Sequence, residues 1–367
     1  MAVPRYHYLA SLYSAEGSLL SRLAITPDWY PATEAARFRA LRQCRSNALP
    51  GPARIQPIWD TETGAPLTAG VRAIVTDGED REVTCEVGIT YFKAQLQGAA
   101  ADLIRTGKLQ EGDTYQYVVH AIAAADSLAQ PVGATALQWD VEDVSETVLS
   151  GQRPLRDLIE VSTPYGDDPD LAPAQEDYPV FIPRAVLMAA EQLKEAAGEN
   201  ETGGILIGHL WRDTDTSEIY AEITGLVPAR HTVEKSTSLR FTAQTWDAVQ
   251  QAIALRNRGE SWIGWYHTHP SRYWCKCDPE SQKHCPLGEQ FFSNDDLTVH
   301  RTVFSRGFHI ALVTGDRPRP EGGWEMVHAL YGWRDGSVQS RNFYLTGETL
   351  SAAAELAAGH RSSTNGR

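Results

Sequence analysis

The sequence predicts an α+β protein in two domains, and three observations carry that reading. At 367 residues the chain is long enough for two units that each bury a core. From residue 180 onward, helix-periodic and apolar strand-like stretches follow one another sharply, whereas residues 1–165 give mixed signals. Between them, residues 140–178 are acidic and carry proline, with GDDPDLAPAQED in their second half. Such a stretch reads as a linker or surface strap, so the boundary falls there and residues 166–179 are the expected linker.

Composition narrows the classes of function. A formal charge of −14 argues against a nucleic-acid partner, because neutralising phosphates needs a basic face. An acidic surface favours basic partners or simply solubility. No apolar run has the length of a membrane span, and MAVPRYHYLASLYSAEG lacks the basic start and apolar core of a signal peptide. A cytoplasmic setting is the expectation. Of five cysteines, Cys275, Cys277 and Cys285 cluster, which in a reducing compartment suggests a metal more than a disulfide.

In the first domain, residues 6–23 suit a strand or a short helix. Residues 33–45 read as a helix capped by Thr33, and residues 51–66 hold turn residues around Ile55, Ile58 and Trp59. Residues 71–75 and 81–87 look like strands joined at Asp77-Gly78, a hairpin signal. Residues 90–109 place Phe92, Leu96, Ala99, Leu103 and Ile104 near helical spacing, and residues 114–122 return to strand composition. The whole reads as an α+β domain of unknown fold without a recognised family motif, with a role in partner recognition as the expectation. Cys44 and Cys85 read as buried structural thiols, and Trp59 and Trp139 as core residues.

In the second domain, Pro183 starts a helix whose Val186, Leu187, Ala190, Leu193 and Ala197 form one apolar face, and Gly198 stops it. Strands are expected over 204–211 and 218–227, a short one over 239–241, and a helix capped by Thr245 up to residue 258. Then comes WIGWYHTHP, a short apolar aromatic run that reads as a buried strand. Ser293 opens a helix to residue 304, and strands follow at 308–313, 325–331 and 338–345. Residues 351–367 read as a partly disordered tail.

Along a strand alternate side chains share a face, so His267 and His269 project together as the beginning of a zinc site. A hydrolytic zinc needs a third protein ligand and an open position. Asp296, in Ser293-Asn294-Asp295-Asp296 at a helix start, offers that ligand, although Ser-x-x-Asp is also a capping box. Asp295 is its competitor, on another face of the helix. Glu201 leads the apolar run ETGGILIG and is either an exposed loop residue or a catalytic carboxylate. His209 and His300 have no motif around them, although His300 lies one turn after Asp296.

Glu201 before GGILIG, then His-x-His-Pro, then Ser-x-x-Asp resemble the JAMM (JAB1/MPN/Mov34) zinc metalloproteases over residues 180–345. The resemblance implies a C-terminal MPN domain, a cytidine-deaminase-like α/β/α fold with a central mixed sheet, over residues 180–350. It implies zinc on His267, His269 and Asp296, Glu201 as the catalytic acid–base, and Ser293 as a donor to the oxyanion. The activity implied is hydrolysis after the C-terminal glycine of a ubiquitin-like protein. That protein or its conjugates would be the partner, with conjugating or activating enzymes of the same pathway beside it. The Ala- and Arg-rich composition suggests a bacterial source, where related peptidases serve ubiquitin-like conjugation, including antiviral pathways. Two other readings are a processing peptidase for a ubiquitin-like or sulfur-carrier precursor and a non-catalytic MPN scaffold.

One departure from the family pattern stands out. Twenty-two residues, SRYWCKCDPESQKHCPLGEQFF, separate Pro270 from Ser293, where the family has a handful. Within this insert, Cys275, Cys277, His284 and Cys285 are a sufficient set for a second, structural zinc. Reduced thiols on a mobile loop or a labile disulfide are the alternatives.

Overall fold

The computed structural model describes residues 6–44, 50–51, 53–123, 148–165, 177–229, 241–278, 281, 285, 291–319 and 321–347. The chain divides into two units, residues 1–147 with 335–337, and residues 148–334 with 338–367.

In the first unit, strands β1 (Tyr6–Ser14) and β2 (Leu19–Ile25) form a hairpin, followed by helix α1 (Tyr30–Gln43). Strands β3 (Arg54–Trp59), β4 (Leu67–Thr76) and β5 (Glu82–Gly88) precede helix α2 (Lys93–Arg105) and strand β6 (Tyr115–Ala123). The sheet runs β2-β1-β6-β4-β3, with β5 also on β4, and the core gathers Leu12, Val71, Phe92, Leu96 and Val119. The hairpin around Asp77-Gly78 forms as the sequence suggests. Two expectations fail locally. Residues 54–59 are a strand, not a turn, because β3 is an edge strand, where the missing N–H of Pro57 is tolerated. Helix α1 starts at Tyr30 and encloses Thr33; Pro31 fits its first turn, where donors have no partner in any case. Trp29, its flanking residue, stacks on Tyr91 at 5.8 Å. Cys44 and Cys85 are buried, as expected; Trp139 lies outside the described residues.

The second unit begins earlier than composition suggests, at residue 148 and not after residue 165. Strand β7 (Gly151–Gln152), helix α3 (Arg156–Ile159) and strand β8 (Ser162–Tyr165) belong to it. Next come β9 (Val180–Pro183), α4 (Arg184–Ala197), β10 (Gly203–Arg212), β11 (Ile219–Pro228) and α5 (Ala243–Arg256). Strand β12 (Ser261–His269), the short α6 (Ser271–Trp274) and α7 (Asn294–Val303) carry the motifs. Strands β13 (Ile310–Pro318), β14 (Trp324–Arg334), β15 (Ser337–Arg341) and β16 (Phe343–Thr346) close the unit. Its mixed sheet runs β15-β14-β13-β12-β10-β11-β9-β16-β8, with β7 parallel to β10. The expected strand 338–345 is thus two strands at opposite parts of the sheet. Phe241 is not in a strand, and residues 239–240, most of the linker and the 351–367 tail lie outside the described residues. Among the described residues no helix is long and apolar enough to cross a membrane.

Local chemistry explains the elements nearest the motifs. Helix α4 follows Pro183 and ends at Gly198, whose φ of +64° suits a residue without Cβ. Its buried side includes Lys194, which meets Asp316 of β13 at 2.5 Å with both side chains inaccessible. Helix α5 is capped by Thr242, whose hydroxyl accepts from the Thr245 N–H, so Thr245, the expected cap, lies three residues inside the helix. Gly204 is required by crowding: a Cβ there would lie 2.3 Å from the Val227 carbonyl oxygen and 2.7 Å from the Tyr266 ring. Trp265, Ile205, Val313 and Phe304 fill the core under β12.

Candidate active site

Strand β12 is clamped along the motif by two neighbours. It is antiparallel to β10, with Gly203 opposite His267, and parallel to β13, with Val313 opposite His267 and Gly315 opposite His269. The twofold period of the strand turns both imidazoles to one face. The pairing with the β10 side continues past Gly203. Thr268 N–H donates to the Thr202 carbonyl at 2.9 Å, and Thr202 N–H donates to Thr268 Oγ1 at 3.0 Å. One more step along this register sets Glu201 beside His269, and both line the same cleft.

Asp296 arrives from the other side on α7. Ser293 Oγ accepts the Asp296 N–H at 3.1 Å, while Asp296 Oδ2 accepts the Ser293 N–H at 2.8 Å. The capping box is real, and it is compatible with ligation. It fixes the carboxylate orientation and sends Oδ1 to within 3.1 Å of His267 Nε2. His269 Nε2 is 3.1 Å from His267 Nε2 and 3.5 Å from Asp296 Oδ2. Zinc bonds of about 2.0–2.1 Å in tetrahedral array would hold such donors roughly 3.3 Å apart. The 3.1 Å separations of His267 Nε2 from His269 Nε2 and from Asp296 Oδ1 are close to that spacing, while the 3.5 Å approach of His269 is to the other carboxylate oxygen, Oδ2. The three residues are buried, and the donor set of two imidazoles and one carboxylate suits a zinc with an open position.

Electrostatics follow from burial. Desolvation pushes the Glu201 carboxyl up to about 7, with Asp296 and Asp295 adding to the rise and His267 opposing it. Burial would also raise Asp296, but the imidazoles of His267 and His269 hold it well below the usual carboxylate range. Burial lowers His269, which favours the neutral imidazole that ligates metals. The His267 ring stacks on Trp265 at 4.5 Å, and its Nδ1 has no partner among the described residues.

The cleft of about 370 Å³ is lined by Glu201, His269, Trp274, Phe291, Ser293, Asn294 and Asp295. Sequence reasoning named Glu201, His269 and Ser293 but missed the aromatic walls. Phe291 stacks on His269 at 4.4 Å, and Trp274 stands 5.9 Å from the same ring. A signal was present in the Phe291-Phe292 pair: Phe292 packs inward on Tyr331 at 4.8 Å, so the alternating Phe291 faces the cleft. Asp295 stays out of the metal cluster, yet it lines the cleft and does not face away as expected. His300 is buried, taking a hydrogen bond at Nδ1 from Trp265 Nε1 at 3.1 Å, and burial lowers it to about 3. His209 stacks on Trp211 at 4.7 Å, towards the end of β10 away from Gly203.

In the insert, the Sγ atoms of Cys275, Cys277 and Cys285 all lie within 4.8 Å of one another. Hydrogen bonds to the Cys275 and Cys285 thiols push Cys277 up to about 11. His284, the fourth expected ligand, lies outside the described residues.

Residues 177–283 match the family model described as JAB1/Mov34/MPN/PAD-1 ubiquitin protease. The matched span contains Glu201, His267 and His269 and ends within the insert, ahead of Ser293 and Asp296. No curated protein matches the chain. Among solved structures, protein DSY2949 from Desulfitobacterium hafniense is similar at 16% identity, covering 46% of this chain and 94% of its own. Its TM-score of 0.29 is too low to bear on the fold. The match over residues 177–283, with His267 and His269 meeting Asp296 in one buried cluster and Glu201 in the adjoining cleft, identifies a JAB1/Mov34/MPN/PAD-1 domain within the second unit.

Proposed function

We propose that this chain is a zinc-dependent isopeptidase that cleaves after the C-terminal glycine of a ubiquitin-like protein. The observation that carries the reading is the convergence of His267, His269 and Asp296 at zinc-compatible spacing, in a cleft that also holds Glu201. A metal-free scaffold would have no use for a buried carboxylate and two buried imidazoles aimed at one point, each costly to desolvate.

His267, His269 and Asp296 are the residues that would hold the zinc. Bound there, the ion supplies a Lewis acid that polarises a carbonyl and lowers the pKa of water from about 15.7 to about 7. Glu201 takes the proton of the attacking water and delivers one to the leaving amine, work suited to a carboxyl titrating near neutrality. Ser293 Oγ accepts the Asp296 N–H in the helix cap, which leaves its own O–H free to donate to the carbonyl oxygen as charge develops there. Trp274 and Phe291 flank His269 and narrow the approach, which suits a tail of glycines lacking side chains. Strand β11 supports an extended docking mode. Among the described residues its pairing with β9 covers Ala221 and Glu222, while its far end, Pro228, lies opposite Gly204 near Glu201. A peptide added along such an edge is held by backbone hydrogen bonds.

The test is to incubate zinc-loaded protein with a lysine-linked ubiquitin-like conjugate and, separately, with a linear fusion, each with and without chelator. Chelator-sensitive cleavage of the lysine-linked conjugate is expected. Cleavage of the linear fusion alone would assign a processing peptidase instead, and no cleavage of either by zinc-replete protein would reject the enzyme reading. A bacterial ubiquitin-like conjugation pathway, antiviral ones included, is the proposed setting, with conjugating or activating enzymes as partners of the first unit.

A further inference from the structure

We infer that Cys275, Cys277 and Cys285 bind a second zinc ion, whose task is to fix the two aromatic walls of the cleft. Three soft sulfur donors at one point select zinc over the harder cations. Around a tetrahedral zinc with Zn–S bonds of about 2.3 Å, sulfurs stand roughly 3.8 Å apart. The bound of 4.8 Å on all three separations admits that arrangement with small movements. On binding, each thiol releases its proton to solvent and becomes a thiolate, with no change in oxidation state.

The sulfurs come from two separate parts of the insert. Cys275 follows Trp274 directly and is anchored through its N–H to the Ser271 carbonyl at 2.9 Å, at the end of α6. Helix α6 is itself held down, because Arg272 N–H donates to Asp316 Oδ2 at 3.2 Å, and Asp316 is the carboxylate that Lys194 neutralises. Cys285 is buried, at 5% exposure, and lies six residues before Phe291. Joining Cys285 to Cys275 and Cys277 therefore ties the Phe291 wall to the Trp274 wall across the face of His269.

The consequence for the walls rests on the cleft being the peptidase site, whereas the metal site does not, so the experiment counts metal and needs no substrate. Full-length protein purified with zinc should contain about two zinc ions per chain by elemental analysis. His269→Ala should keep about one, and Cys275→Ser with Cys277→Ser should keep about one, since the losses are independent. The His269→Ala protein loaded with cobalt retains all three cysteines and should show the near-ultraviolet thiolate-to-cobalt absorption. The doubly substituted protein, checked for native circular dichroism, should not. About one zinc in the unaltered chain, insensitive to the serine replacements, would overturn the inference. So would absence of the thiolate band in cobalt-loaded His269→Ala protein, or an intact mass two hydrogens light, indicating a disulfide among the three cysteines.

Discussion

The two candidate metal clusters of the second unit differ in what organises them. His267 and His269 sit on a strand paired on both edges, and Asp296 is locked by a reciprocal helix cap. All three are buried, so the donors stand ready whether or not an ion is present. The thiol cluster rests on irregular backbone beside the four-residue α6, with Cys275 and Cys277 half-buried. Secondary structure builds the first cluster; in the second, the inferred ion would hold together sulfurs that irregular backbone brings near one another. A reactive centre gains from donors fixed in advance, because reorganisation at the moment of reaction is avoided. A staple has no such need.

The largest effect that would test this contrast is at the imidazoles. His269→Ala should abolish both the zinc of that cluster and peptidase activity, with native circular dichroism, measured by elemental analysis beside turnover. Near-normal turnover in that protein would remove the cluster from the chemistry. Next in size, Glu201→Gln should retain zinc and lose about 10²–10⁴-fold in kcat, because proton transfer is lost while the ligands remain. Ser293 separates cap from oxyanion donor. Ser293→Asn keeps a side-chain acceptor for the helix, so stability should shift by no more than a few tenths of a kcal/mol, while kcat should fall about 10²-fold. Equal losses in Ser293→Asn and Ser293→Ala stability would show that the cap was misread.

Smaller effects distinguish the clusters further. Chelation should lower the melting temperature of the second unit, because ions bound by the folded chain stabilise it, and should expose the insert to limited proteolysis, mapped by mass spectrometry of the fragments. Resistance of the insert in chelated protein would place both clusters in the pre-organised class. The smallest effect is on pH. Because Glu201 is raised from 4.5 to about 7 in the folded chain, the folded state holds its proton longer than the unfolded one. Its contribution to the stability of metal-free protein is thus complete below about 4.5 and is lost as pH rises through about 7. Urea melts of metal-free protein at pH 5 and pH 8 should show that decline in the unaltered chain and a lesser one in Glu201→Gln.

Legibility in the sequence followed the range of the forces involved. The apolar face of α4, the aromatic run of β12 and the Ser293 cap were visible because each is a pattern within a few residues. Errors came where a distant partner decided. Residues 54–59 hold a proline and became a strand because they found an edge; residues 148–165 looked like linker and became part of a sheet through β10 and β16. Thr242 took the cap expected of Thr245, three positions being one helical turn and too close to separate by composition. Lys194 gave no sign of burial on an otherwise apolar face, since its partner Asp316 is 122 residues away.

By itself, the sequence determined the identities and local directions of the chemistry: two imidazoles on one strand face, a carboxylate in a capping turn, a glutamate ahead of a glycine pair. Alternation and capping act over neighbouring residues, so they can be read before any fold is known, whereas the crowding at Gly204 comes from Val227 and Tyr266 on other strands. Only the tertiary structure decided that the two imidazoles and Asp296 form one buried cluster beside Glu201, that Phe291 and Trp274 wall the same ring, and that three thiols converge across the insert. Such meetings depend on which strands pair and which surfaces pack, and the sum of many weak contacts over the whole unit selects them.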